Sequence, residues 1–191
     1  CSYTAYWLSN LIFDMLWGTI PAIGAWITFA IWDVNSFITY PGINSSIALF
    51  AAFLPAMAGF AYLFSFLFSK AGNALFISWI FNLSFGILAN TTMSVLGFIA
   101  GVFKAMEILR WLFRFVPIFS LGYGHLLISI SQRGAVENGY GPLSGLGVGG
   151  EYCPPGKVDN KIVDCRYMIG DEFMMLILCG LFYPALTIAL D

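Results

Sequence analysis

A run of 28 residues from Ala74 to Gly101, ALFISWIFNLSFGILANTTMSVLGFIAG, carries no formally charged side chain. At about 1.5 Å of rise per residue, a helix of that length crosses a hydrocarbon layer about 30 Å thick with room for tilt. The run therefore predicts a membrane span. Asn82, Ser84, Asn90, Thr91 and Thr92 interrupt it. Amide and hydroxyl groups at that depth need partners on neighbouring helices or a wet cavity. Two readings follow for these five residues, a substrate path or interhelical hydrogen bonds, and the two roles can coexist. Gly97 and Gly101, four apart, offer another helix a close approach near the far end.

The rest of the chain is of the same kind. Of its 191 residues 60% are hydrophobic and 9% charged, with a mean hydropathy of +0.85. Soluble domains carry about 25% charged residues, so this chain cannot cover a water-facing surface. Its net charge of -2 comes with no basic stripe interleaved with aromatics, which sets a nucleic-acid partner aside. No positive region precedes the first apolar run, so no secretory leader is read there, and Cys1-Ser2-Tyr3 reads as the start of a piece of a longer chain. The fold class expected is an all-α membrane protein, a polytopic bundle of about four spanning helices and one re-entrant helical hairpin.

The first span is placed at about 11–32. Tyr6 and Trp7 precede it at headgroup level, Asn10 is read as its cap, and Asp14 is placed in its first turn, where a carboxylate suits the positive end of the dipole. Asp14 in that position is an interfacial charge, not a proton carrier. Pro21 bends the helix. A second span covers about 46–68, with Ala48, Ala52 and Ala56 on one smooth face and Pro55 inside. The uncharged middle helix, 74–101, is the third. Beyond it Lys104, Glu107, Arg110 and Arg114 recur every three or four residues on one helix face, with Met106, Leu109, Leu112 and Phe113 mostly on the other, predicting an interfacial amphipathic helix. Pro117 ends or kinks that helix, and Ile118 to Ile130 is too short to cross. The segment 104–130 is thus read as the hairpin, which dips into one leaflet and returns. A polar glycine- and proline-rich loop is assigned to 131–170, and a minimal last span to 173–190, entered after Asp171 and Glu172. Four crossings leave both ends on one side.

Two signals disagree about which side that is. Lys104, Arg110, Arg114, Arg133, Lys157, Lys161 and Arg166 all follow the middle helix, and by the positive-inside rule they draw that half to the cytoplasm. Cys153 and Cys165, a dozen residues apart in the polar loop, read instead as a disulfide in an oxidising space.

Tyr6-Trp7-Leu8-Ser9-Asn10, followed by Asp14-Met15 and Pro21-Ala22, resembles the start of the third membrane helix in each half of the A subfamily of ATP-binding-cassette (ABC) transporters. Phe115-Val116-Pro117-Ile118-Phe119-Ser120-Leu121-Gly122-Tyr123-Gly124 resembles that family's proline-to-glycine segment in the hairpin before its last membrane helix. The likeness runs through nearly the whole chain in order and spacing. It implies the last four helices of one transmembrane domain, the second of two, in a type-II exporter-like arrangement. It also implies cytoplasmic chain ends, an external hairpin and polar loop, and lipid as the transported substance. The remaining transmembrane helices and the nucleotide-binding domains, with their ATP and Mg, then belong to other parts of the same polypeptide. Such a protein sits in the plasma membrane or an endomembrane. The hairpin residues singled out are Pro117, Gly122, Gly124 and His125. Between the two glycines the family often carries a basic residue where this chain has Tyr123, and His125 is the group that could replace it against an anionic headgroup.

No catalytic, cofactor or metal residue is assigned. His125 has no second histidine, cysteine or carboxylate at ligand spacing. The glycines at 145, 147, 149 and 150 follow no apolar strand, and Gly156-Lys157 is followed by Val158 where a phosphate loop requires Ser or Thr. The alternative function, a channel or ion-coupled carrier, calls for charged or paired titratable groups at mid-membrane. An embedded enzyme calls for a constellation of His, Asp or Ser that the chain lacks.

Overall fold

The computed structural model describes residues 3–39, 42–96, 103–138 and 170–190. Within them every element is a helix and no strand occurs. Helix α1 covers Tyr3–Ile31, α2 is the short Asn35–Ile38, α3 covers Gly42–Ser65, and α4 covers Ala71–Leu83. A π-helical turn, Ser84–Ala89, joins α4 to α5, Asn90–Leu96, so that the middle helix is continuous but not uniform. Then come α6, Phe103–Phe113, α7, Pro117–Asn138, and α8, Gly170–Leu190. Four stretches are long and apolar enough to cross a membrane: Ala5–Ile31, Gly42–Ser65, Gly72–Leu96 and Asp171–Leu190.

Helix α1 starts at Tyr3, well before the expected Leu11. Asn10 is therefore inside the helix and caps nothing, and Asp14 lies about three turns in, not in the first turn. Nothing between Tyr3 and Gly18 breaks a helix, so the polar Ser9-Asn10 pair is absorbed. Ser9 turns its hydroxyl back onto the Tyr6 carbonyl at 2.8 Å. The helix ends cleanly. Asp33 adopts a left-handed backbone, φ 48°, and the Val34 amide reaches back to the Phe29 carbonyl at 2.9 Å while the Asp33 amide bonds Ala30. This is a Schellman-type stop with aspartate where glycine is usual.

Helix α3 is the axis of the bundle. It runs side by side with α8, and both lack side chains where they meet. A Cβ on Gly59 would lie 2.5 Å from Pro184, and one on Gly180 would lie 3.3 Å from the Ala56 amide. Because the 56–180 and 59–184 pairs advance together, α3 and α8 point the same way. The middle helix doubles back from α3 through the short connection 66–70, stacking Phe81 on Phe60 and Phe64 with ring centres 5.7 and 5.3 Å apart. Ile118 of α7 packs on Gly86, and Gly122 packs on Asn90, so α7 points the same way as the middle helix.

These directions require α6 to carry the chain back down, and the α6–α7 joint lies deep. Gly86, opposite Ile118, is ten residues or about 15 Å from Leu96 at the end of α5. The Tyr183 hydroxyl, three turns into α8, donates to the Phe115 carbonyl at 2.5 Å. Helix α7 continues to Asn138, beyond the 130 expected for the end of the hairpin, because Gln132-Arg133 is no helix breaker.

The buried core joins α3, α7 and α8 around Leu49, Ala56, Phe119, Ile128, Leu176 and Tyr183. Elsewhere the surface is apolar. Trp17 is 62% exposed and Trp79 74%, as a chain surrounded by hydrocarbon permits. The Cys153–Cys165 pairing and the Gly97/Gly101 face lie outside the described residues. Cys179, which is described, is a free buried thiol packed in α8.

Candidate functional site

Three groups of side chains carry polar chemistry in an otherwise hydrocarbon molecule. The first lies where the middle helix meets α7. Asn90 opens α5, and its amide nitrogen faces the carbonyls of Gly86 at 3.1 Å, Phe85 at 3.3 Å and Phe119 at 3.4 Å. Two of these acceptors belong to the π-turn and the third belongs to α7. Gly122 is needed there, since a Cβ would fall 2.5 Å from the Asn90 nitrogen. Asn82 donates to its own helix at Ser78, 2.9 Å, and its side-chain oxygen, like that of Asn90, is buried without a hydrogen-bond partner. A cleft of about 360 Å³ opens between the two elements, lined by Trp79, Asn82, Gly86 and Ile87 on one wall and by Ile118 and Gly122 on the other.

The five polar residues of the middle helix do not share one face. Asn90 meets α7, and Asn82 lines the cleft between the middle helix and α7. Ser84 bonds the Ile80 carbonyl of its own helix at 2.8 Å, and Thr91 and Thr92 are exposed.

The second group is the hairpin with its neighbours. Pro117 is fully buried at the joint, and Gly124 seats Leu49, whose side chain would be 2.8 Å from a Cβ. His125 sits in a ring of Phe29, Phe37 and Phe50, its Nδ1 2.9 Å from the Leu121 carbonyl and its Nε2 2.9 Å from the Ser46 hydroxyl. Burial pushes its pKa below the usual imidazole range. Both ring nitrogens are thus engaged within the protein, by Ser46 and by the Leu121 carbonyl.

Residues the sequence named but did not assign to a site supply the strongest charges. Arg114 is 2% exposed and Glu172 0%. Arg114 Nε donates to Glu172 Oε1 at 2.9 Å, and its Nη2 lies 2.8 Å from that oxygen and 3.2 Å from Asp171. Ser120 ties the joint further by donating to the Arg114 carbonyl at 3.0 Å. Arg110 is also buried, its guanidinium 5.8 Å from the centre of the Tyr123 ring. The two arginines of this segment are therefore turned into the protein and not towards an interface. Arg110 and Arg114 turn inward, while Ile108, 72% exposed, Trp111 and Leu112 turn outward. The signal was present in the sequence: arginines flanked by apolar residues, and two acids at the entrance of the last apolar run, must find each other when no water is near.

The third group lies at the opposite end of the bundle. Asp14 accepts a short hydrogen bond from Tyr62, in the last turn of α3, and Trp7 packs on Tyr62 and Phe66 at 5.3 and 6.4 Å. Tyr6 meets Trp7 edge to face at 5.6 Å. The start of α1 thus packs through Trp7 on the last turn of α3 and the residues just beyond it. Among the described residues no three His, Cys, Asp or Glu side chains gather where a metal could sit.

Comparison with known proteins puts this arrangement in context. A family described as ABC-2 family transporter protein matches residues 1–189. Glucosylceramide transporter ABCA12 of Mus musculus is 30% identical over 140 residues, which is 70% of this chain and 5% of that protein. The Homo sapiens protein of the same name is 29% identical over 140 residues, with the same coverage. The chain thus spans about a twentieth of the curated relatives it matches.

Proposed function

The chain belongs to the ABC-2 family of transporter proteins as a membrane-spanning domain, and from that premise we propose that it forms part of an exporter that moves lipid across a bilayer. The work is done by nucleotide-binding domains of the same polypeptide, which rock the helix bundles against one another. The observation that carries the reading is the cleft between the middle helix and α7, an apolar wall with buried amides behind it. A wall of that kind suits acyl chains, and the relatives' names make a glycosylated ceramide the first lipid to try.

In this reading α6 and α7 form a re-entrant hairpin on the external side, with both ends of the chain cytoplasmic. Support comes from the shared direction of α3 and α8 and from the depth of the Phe115–Tyr183 contact. The polar loop that follows is then external, and Cys153 and Cys165 are its disulfide. Asp14, Tyr62 and Trp7 mark the cytoplasmic boundary.

The test is transport by the intact protein in lipid vesicles, read with a fluorescent ceramide-type lipid. Movement that depends on ATP is the expected result, and equal movement with and without ATP refutes the reading. Replacing Asn90 by Leu should lower the rate while leaving expression intact. Sidedness is checked separately: after reduction, a membrane-impermeant thiol reagent added outside cells should label Cys153 and Cys165.

A further inference from the structure

The π-turn is the one departure from α-helical winding within the described part of the middle helix, and it lies opposite the start of α7. A π-turn holds one residue more than an α-turn in the same place, and its carbonyls are less well served by the backbone. Two of those carbonyls, Phe85 and Gly86, are taken by the Asn90 amide, which also reaches the Phe119 carbonyl of the hairpin. One NH₂ group with two protons thus serves three acceptors at 3.1–3.4 Å. No single bond is short, so the amide is held by the three acceptors together. The Ile118 side chain rests on Gly86 inside the same turn, only 3.0 Å from where a Cβ would stand. Winding of the middle helix and position of the hairpin are therefore held by the same few atoms.

We propose that the π-turn Ser84–Ala89 is a joint and that Asn90 is the positioning residue that couples it to the hairpin. When α7 withdraws, Phe119 leaves Asn90 and Ile118 leaves Gly86, and the turn rewinds as α-helix. Taking one residue out of the bulge rotates α4 against α5 by about 100°, one residue's share of a 3.6-residue turn. Trp79 and Asn82, on the α4 side, are carried off the cleft wall, while Asn90 stays with α5. The cleft is remade each time the hairpin returns. This rests on reading the domain as a lipid exporter, and it adds which element moves and which residue times it.

The experiment uses the intact transporter in vesicles, with three readouts: ATP-dependent lipid movement, ATP hydrolysis, and disulfide cross-linking of a Gly86→Cys/Ile118→Cys pair as a report of hairpin docking. Deleting the exposed Leu88 removes the extra residue and makes the middle helix α-helical throughout. The expected result is continued ATP hydrolysis with lipid movement reduced at least about tenfold, the size of a typical coupling term. Asn90→Ala keeps the extra residue but removes the coupling, and it should lower both cross-linking and lipid movement while hydrolysis persists. Parental transport in the deletion variant overturns the proposal. Should the deletion variant fail to hydrolyse ATP, Asn90→Ala decides, and parental cross-linking and transport in it overturn the proposal. Failure of the parent itself to move lipid refutes the proposed function instead.

Discussion

Arg114 holds two acids, and they are not equal. Glu172 is wholly buried, with Oε2 lacking a partner, whereas Asp171 is 56% exposed. Arg114→Leu strands the Glu172 carboxylate in the core and should cost about 3–5 kcal/mol, because breaking a buried pair leaves an uncompensated charge. Asp171→Asn should cost less, under about 1 kcal/mol, since Asp171 is only half-buried and Arg114 keeps its closer bonds to Glu172. Heat-unfolding midpoints of the purified transporter in detergent, compared across the two variants, check the order. Asp33 offers the opposite kind of change. Its left-handed backbone costs a residue with a Cβ about 1–2 kcal/mol, so Asp33→Gly should raise the same midpoint slightly. Gly59→Ala should lower it by about 1–3 kcal/mol, because the new methyl meets the Pro184 ring and its backbone nitrogen at 2.5–2.9 Å and the two helices must part.

Among the elements, α7 is held to α3 by His125, and this contact has a pH dependence with a definite sign. The folded-state pKa is lowered by burial below the ordinary 6.5. The associated stability is fully present above pH 6.5 and is lost as pH falls through the depressed folded value. Its aromatic neighbours Phe29, Phe37 and Phe50 do not titrate, and neither does Ser46. Unfolding midpoints measured from pH 7.5 downward should therefore drop on the acid side, and His125→Gln should flatten that drop. Helix α6 shows what was legible at this scale and what was not. The three- and four-residue spacing of its charges correctly predicts a helix with two faces, but spacing cannot say which face points inward. Pattern rules assume water outside. Here the neighbours of Arg110 and Arg114 are Tyr123 and Glu172, and Ile108 takes the outside. Helix starts were also hard to read, since Ser9-Asn10 serves equally well as a cap or as an interior pair.

Across the whole molecule, the spans were legible because uncharged runs of 18 residues or more have few other uses. The pairings were not. Arg114 and Glu172 are separated by 58 positions, and Gly59 and Pro184 by more than a hundred, so no local periodicity links them. Of the site residues, Asn90 bonds the Phe119 carbonyl of α7 and Asn82 lines the cleft between the two elements. Ser84 bonds within its own helix, and Thr91 and Thr92 point outward.

The parallel seam between α3 and α8 sets an order of assembly. Helix α3 enters the bilayer before α8 is made, and the surface that fits around Gly59 and Ala56 is translated more than a hundred codons after it. Until then a notch of bare backbone on α3 has no permanent neighbour. A ribosome stalled after Asn138 should hold a chain that proteases cut readily, and completing α8 should abruptly make it resistant. The last hydrophobic segment acts as the keystone, and a defect in it would appear as loss of the whole domain during biogenesis.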